Sequence, residues 1–288
     1  MCIRDSLSTM PRTLKSLKTP LRYPGGKSRA LANLFRFFPD LSQVKEYREP
    51  FLGGGSVAIE VTKRYPNLPI WVNDLYKPLY IFWTALRDDG DYLYDQLIQL
   101  KQRHPDPGSA KQLFLDAKEK VNEDDIGYKD KAVAFYIINK CSFSGLTESS
   151  SFSPQASESN FSIRGIENLK TYSTLIKNWK ITNDSYVNLL SDDEDILTYL
   201  DPPYEIKSNL YGKKGNMHKG FDHDGFANLC DSYNGNQLIS YNSSQLIRDR
   251  FKEWTVAEFA HTYTMRSVGC YNRVQAQRKE LVLFNYEV

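Results

Sequence analysis

Apolar positions along this chain keep two rhythms, one strand-like and one helical. Short apolar or alternating runs near Tyr47, at Ile70 to Asn73, Trp179 to Thr182, Ile196 to Leu200, Gln237 to Tyr241 and Glu280 to Tyr286 predict strands, and Ile196 to Leu200 reads as buried. Between the second and third of these the spacing lengthens. Leu93, Leu97 and Leu100 recur at helical intervals, as do Ala132, Phe135, Tyr136 and Asn139, with Pro105, Pro107 and Gly108 marking a loop between helices. Residues 87–178 are therefore expected to be a mostly helical insert in an α/β domain formed by residues 20–86 and 179–288.

The ends of the predicted strands carry the chemistry. Asp201-Pro202-Pro203-Tyr204 follows the buried run, at the carboxyl end where open α/β sheets place their ligands. Two prolines can continue neither a sheet ladder nor a helix, so they stiffen the backbone and leave the Asp201 carboxylate and the Pro202 carbonyl as acceptors. Acceptors beside the Tyr204 ring suit a planar group bearing an NH2, such as a nucleobase. A proline-stiffened turn is the plainer alternative for these four residues alone.

Upstream, Glu49-Pro50-Phe51-Leu52-Gly53-Gly54-Gly55-Ser56-Val57-Ala58 lies between a strand and a helical run. Gly53, Gly55 and Ala58 fit the spacing of a nucleotide-binding turn, and Asp74 stands about twenty residues on, where a carboxylate accepts from ribose hydroxyls. Leu21-Arg22-Tyr23-Pro24-Gly25-Gly26-Lys27-Ser28 ends like a phosphate loop but has Leu21 where the first glycine belongs. Tyr23 and Lys27 instead suit a small-molecule site, one by stacking and the other by pairing with a carboxylate such as that of methionine.

These three ordered segments resemble the Dam-like, D12-class family of adenine-N6 DNA methyltransferases, from Thr19 to Tyr286. The resemblance implies a Rossmann-like core with a mixed sheet, S-adenosylmethionine as methyl donor, and double-stranded DNA as partner, its adenine flipped out. It assigns Asp201, Pro202 and Tyr204 to catalysis. Cofactor binding falls to Tyr23, Lys27, Phe51, Gly53, Gly55, Asp74 and Asp201, with Asp184 after the third strand. It makes the helical insert the target-recognition region. Within it Asn139 to Ser150 resembles the family's reading segment, with Phe143, Gly145 and Leu146 matching. Ser144 replaces an Asn and Glu148 an Arg, which shifts the favoured base contact from guanine acceptors to a donor such as the cytosine amine, so the site need not be GATC. Phe143, Ser144, Leu146 and Glu148 are the expected DNA-reading residues, and a flexible linker is the alternative for the serine run after them.

Composition modifies this little. The 288 residues are 41% hydrophobic, enough for a real core, and the net charge is only +2. Lys207, Lys213, Lys214 and Lys219 after the proline pair, with Arg266, Arg273, Arg278 and Lys279 near the end, are expected to meet phosphates. Four scattered cysteines lack metal or disulfide spacing and read as reduced thiols. No apolar run spans a membrane and no signal pattern opens the chain, which points to the cytoplasm of a bacterial or phage-infected cell. Residues 1–19, whose opening differs from the rest, are expected to form a tail outside the fold, with Met10 as the initiator. Phe221 to Phe226 resembles no metal motif; Asp222 there suits a helix N-cap. Two rivals stay open, a catalytically silent DNA-binding relative and an NAD-dependent oxidoreductase, the latter leaving Asp201 to Tyr204 without a role. A monomer or weak dimer is expected, and a cognate restriction endonuclease is an open question.

Overall fold

The computed structural model describes residues 12–145, 149–204, 220–263 and 276–288. Seven strands form one sheet: β1 (Glu46–Glu49), β2 (Ile70–Asn73), β3 (Lys180–Thr182), β4 (Ile196–Leu200), β5 (Asn236–Asn242), β6 (Thr255–Tyr263) and β7 (Ala276–Phe284), in the order β3-β2-β1-β4-β5-β7-β6. The first five are parallel, and β7 runs antiparallel to both β5 and β6. From β1 the chain winds outward through β2 to β3, and from β4 it winds the other way to β5. The order therefore reverses between β1 and β4, which opens a crevice at their carboxyl ends.

Strand alternation sends neighbouring side chains to opposite faces. Tyr47, Val72, Leu197, Tyr199, Leu238 and Val282 join one apolar cluster, while Leu200, Ile239, Tyr241, Leu281 and Leu283 join a second with Phe226, Ile247, Phe251 and Trp254. All five residues of β4 are buried, as a strand covered on both faces requires. Each fully buried Leu or Ile contributes about 1.5–3 kcal/mol.

Helices fill both faces. Helix α1 (Ser56–Arg64) follows β1, and between β2 and β3 come α2 (Lys77–Asp88), α3 (Gly90–Arg103), α4 (Pro107–Lys120), α5 (Tyr128–Cys141), α6 (Pro154–Ser159) and α7 (Ile163–Leu175). Leu93, Leu97, Leu113, Phe114, Ala132, Phe135, Tyr136 and Leu169 of these helices belong to the same cluster as Tyr47 and Val72, so their apolar faces continue the core of the sheet. Their starts follow local chemistry: Asp106, Ser153 and Ser162 each accept a backbone N–H from the first turn of α4, α6 and α7. Asp222 does the same for α8 (His223–Asp231), which lies with α9 (Gln245–Arg250) on the other face.

Two expectations need adjustment. Residues 12–19 are part of the fold: Leu17 is buried in the core, and its carbonyl accepts from Lys63 Nζ at 2.8 Å. The last strand starts at Ala276 and pairs with β6, which the sequence reading did not single out. Cys141 and Cys230 are buried free thiols. Among the described residues no helix is long and apolar enough to cross a membrane.

Candidate active site

Asn73, the last residue of β2 and buried, ties together the loops that rim the crevice. Its Nδ2 donates to the carbonyls of Pro50 (3.1 Å) and Asp184 (2.8 Å), and its Oδ1 accepts from the Asp184 N–H at 2.9 Å. Asp74, one residue on, holds the glycine turn. Its Oδ2 accepts from Gly53 N–H (2.9 Å) and its Oδ1 from Tyr76 N–H (3.0 Å). Gly53 and Gly55 both take positive φ, of 53° and 72°, a region where a side chain is strained. From below, buried Trp83 donates its indole N–H to the Gly53 carbonyl at 3.1 Å. From above, Tyr23 covers the turn so closely that a Cβ on Gly53 would stand 2.8 Å from its ring and one on Gly54 2.8 Å from its Cβ. Phe51 turns to the second core cluster and stacks on Tyr186, with ring centroids 5.4 Å apart. The Asp184 side chain stays exposed and accepts only locally among the described residues, from Ser185 N–H.

Across the crevice, Asp201 follows β4 directly. Ser240 on β5 donates to its Oδ1 at 3.0 Å, and the Ser240 hydroxyl is itself bonded to buried Tyr199 at 2.8 Å. Lys27, only 5% exposed, brings Nζ to 3.2 Å from the same Oδ1. The cation and the hydroxyl donor thus engage the same oxygen, and among the described residues Oδ2 has no partner. Burial raises the Asp201 carboxyl above the usual carboxylate range, and the Lys27 charge opposes that rise. Glu49, at the end of β1, is raised well above the usual range by burial and then by the Asp201 charge.

Tyr204 is fixed from three sides. Lys27 Nζ donates to its hydroxyl at 2.6 Å, the hydroxyl donates to Glu280 Oε2 at 2.6 Å, and its ring stacks on Tyr241 at 6.2 Å between centroids. Tyr241 in turn is bonded through its hydroxyl to His223 Nδ1 at 2.6 Å. Lys27, read in the sequence as a partner for a ligand carboxylate, is placed here against Asp201, Tyr204 and, at 3.9 Å, Glu280.

The segment expected from the sequence to read DNA is described in part. Phe143 and Ser144 are exposed just after an antiparallel bridge between Ser142 and Phe152, and Phe143 N–H donates to the Ser151 carbonyl. Leu146 and Glu148 lie outside the described residues, as do Lys207, Lys213, Lys214, Lys219, Arg266 and Arg273. Lys279 is described: it is exposed and pairs with Glu258 at 3.2 Å. Ser240, Glu280, Asn73 and Trp83 were not foreseen as site residues. Ser240, Glu280 and Asn73 are ordinary strand positions whose only signal is polarity at a buried place, and Trp83 is an apolar helix position that carries none.

A family model described as D12 class N6 adenine-specific DNA methyltransferase matches residues 23–265. Among curated proteins, the chain is 27% identical over 206 residues to the Type II methyltransferase M.MjaIII of Methanocaldococcus jannaschii, an alignment covering 66% of this chain and 70% of that relative.

Proposed function

The chain belongs to the D12 class of N6 adenine-specific DNA methyltransferases, and on that premise we propose that it methylates adenines flipped out of double-stranded DNA at a short specific site, with S-adenosylmethionine as donor. The observation that carries this reading is the pairing of Asp201 with the glycine turn across the switch point, with Tyr204 held as a flat face beside the acceptor.

The residues on the β1 and β2 side fit the cofactor. A Cβ at Gly53 would meet the Tyr23 ring over the turn, and each Asp74 oxygen keeps a lone pair beyond the one it gives to the backbone, available to a ribose hydroxyl. Tyr23, Phe51 and Asp184 border the same turn. When bound, S-adenosylmethionine supplies a methyl group activated by its sulfonium. The protein's task is then the nucleophile. An adenine amine is a weak one because its lone pair is delocalised into the ring. Asp201 Oδ2 and the Pro202 carbonyl accept its two N–H bonds, which favours a more tetrahedral nitrogen with the lone pair free to attack. Ser240 and Lys27 fix the carboxylate by its other oxygen. Tyr204 stacks on the base. After transfer the nitrogen must lose a proton, and Asp201, with its affinity for protons raised by burial, receives it.

The direct test is nucleoside mass spectrometry on DNA incubated with the purified chain and S-adenosylmethionine. N6-methyladenine is expected, with single-molecule sequencing locating one short motif; methylated cytosine in its place, or no product, would overturn the reading.

A pH dependence follows from Asp74. Withdrawal from water raises its carboxyl to about 6, while the backbone donors of Gly53 and Tyr76 oppose the rise. Because the folded-state value lies above the unfolded one, the ionised group costs stability above about pH 6, and that cost is relieved as the pH falls. Ribose binding runs the other way, since it needs the anion. Calorimetric affinity for S-adenosylhomocysteine is expected to drop several-fold between about pH 7 and about pH 5, and the drop should vanish in Asp74→Asn. An equal pH response in both proteins would place Asp74 outside the ribose site.

A further inference from the structure

Arg22 and Asn139 interlock where the cofactor loop meets the reading hairpin. The Asn139 side chain is buried at the end of α5 and pairs with the Arg22 backbone as a peptide group would: its Oδ1 accepts from Arg22 N–H at 2.9 Å and its Nδ2 donates to Arg22 O at 2.7 Å. The same Nδ2 donates to Gly145 O at 2.8 Å. In return the Arg22 guanidinium spans three carbonyls, one at the end of α5 and two in the segment after it, donating to Asn139 O (3.2 Å), Ser142 O (2.7 Å) and Phe143 O (3.1 Å). Gly145, at φ 72°, permits the contact, because a Cβ there would stand 2.8 Å from Arg22 Cβ. Ser142 closes the turn by accepting Gly145 N–H at 2.9 Å.

The placement of the two partners gives this clasp its meaning. Arg22 is followed directly by Tyr23, whose ring lies on the glycine turn, and by Lys27, which reaches Asp201. On the other side, Phe143 is 52% exposed beside the Ser142–Phe152 bridge while its carbonyl is held by Arg22. A guanidinium presents several donors in a fixed fork and can order three acceptors at once, whereas a lysine ammonium on a flexible stem cannot hold that geometry.

We infer that Arg22 is a positioning residue for target-site discrimination: it fixes the Phe143 hairpin to the cofactor loop, so the element that meets the target step and the loop that borders the reacting groups move as one body. This rests on the reading of the hairpin as the DNA-facing element. Loss of the guanidinium frees the Ser142 and Phe143 carbonyls while leaving the backbone pair with Asn139, and so relaxes which sequences are accepted before it impairs the chemistry.

The test uses the full chain as wild type, Arg22→Ala, Arg22→Lys and Gly145→Ala, the last pushing the hairpin from Arg22 without changing charge. Hydrogen exchange of the free protein reads the clasp itself: the Phe143 and Gly145 amides should be protected in wild type and exchange at least about tenfold faster in all three variants, with melting temperatures within a few degrees. The ratio of kcat/KM for the mapped site over sites differing by one base should fall by about tenfold or more in all three, with S-adenosylhomocysteine affinity little changed. If Arg22→Lys restores the ratio, Arg22 is a cation for phosphates and the inference is wrong. If melting falls and rates on all sites drop together at constant ratio, Arg22 is only a structural prop, and the inference is equally wrong. Failure of wild type itself to methylate adenine would overturn the functional reading, yet the exchange result would still report whether the clasp exists.

Discussion

Asp201→Ala is expected to lower methyl transfer by about a thousandfold or more while changing S-adenosylhomocysteine affinity by less than about tenfold, because a preorganised group facing the reacting atom acts mainly in the transition state. The arrangement of charges explains why the fold should survive. Lys27 lies 3.2 Å from Asp201 and 3.9 Å from Glu280, so deleting Asp201 leaves the buried ammonium with a carboxylate partner instead of stranding it. Asp201→Asn is nearly as severe. Its amide can present oxygen to the target amine only by turning NH2 toward Ser240 and Lys27, both of which are donors to that side. Single-turnover transfer of a labelled methyl group measures the loss directly. Activity within tenfold of wild type in Asp201→Ala would remove the carboxylate from the mechanism.

Ser240 offers a graded companion to that experiment. It touches only Oδ1, the oxygen that the proposed substrate contact does not use, so Ser240→Ala should slow transfer by less than Asp201→Ala and leave KM nearly unchanged.

The site was legible in the sequence wherever its residues are contiguous with a strand end. Ile196–Leu200 is the observed β4, and Asp201 follows it; Ile70–Asn73 is β2, and Asp74 follows it. In a parallel sheet such ends collect in one crevice, so local pattern suffices to find them. Ser240 and Glu280 show where that logic stops. They arrive through the register of β5 against β4 and β7, with Asn242 opposite Glu280, and a period-two pattern says that a residue is buried without saying which neighbour it meets. Lys27 was singled out, but its partner was assigned to a ligand, because its sequence neighbourhood contains no carboxylate; Asp201 is brought to it only by the fold. Arg22 lies within the same motif and went unread for a related reason: the three carbonyls it holds are backbone atoms about 120 residues away, and backbone acceptors leave no trace in composition.

The two glycines of the β1 turn separate binding from stability. Gly55→Ala places a Cβ 2.7 Å from Trp83 Cζ2 and 2.8 Å from Cη2. Trp83 has no room to yield. It is fully buried, its indole N–H is bonded to the Gly53 carbonyl, and Phe82 and Trp179 pack against it at 5.7 and 5.5 Å between centroids. A left-handed residue costs about 1–2 kcal/mol and overpacking a further 1–3, so Gly55→Ala should destabilise the protein by about 2–5 kcal/mol. In a chain of this size that corresponds to a fall in melting temperature on the order of 5–15 °C. Gly53→Ala meets a different neighbour, the Tyr23 ring at 2.8 Å, which is 38% exposed and can swing toward solvent. Its stability cost is then mainly the backbone term of about 1–2 kcal/mol, and the larger loss falls on ligand binding, because the displaced ring no longer covers the turn. Thermal melting with and without S-adenosylhomocysteine distinguishes the two: Gly55→Ala should lower the baseline melting temperature far more than Gly53→Ala, while Gly53→Ala should lose most of the ligand-induced rise. Equal baselines for the two variants would mean that Trp83 yields as readily as Tyr23, and that the turn is not anchored from below.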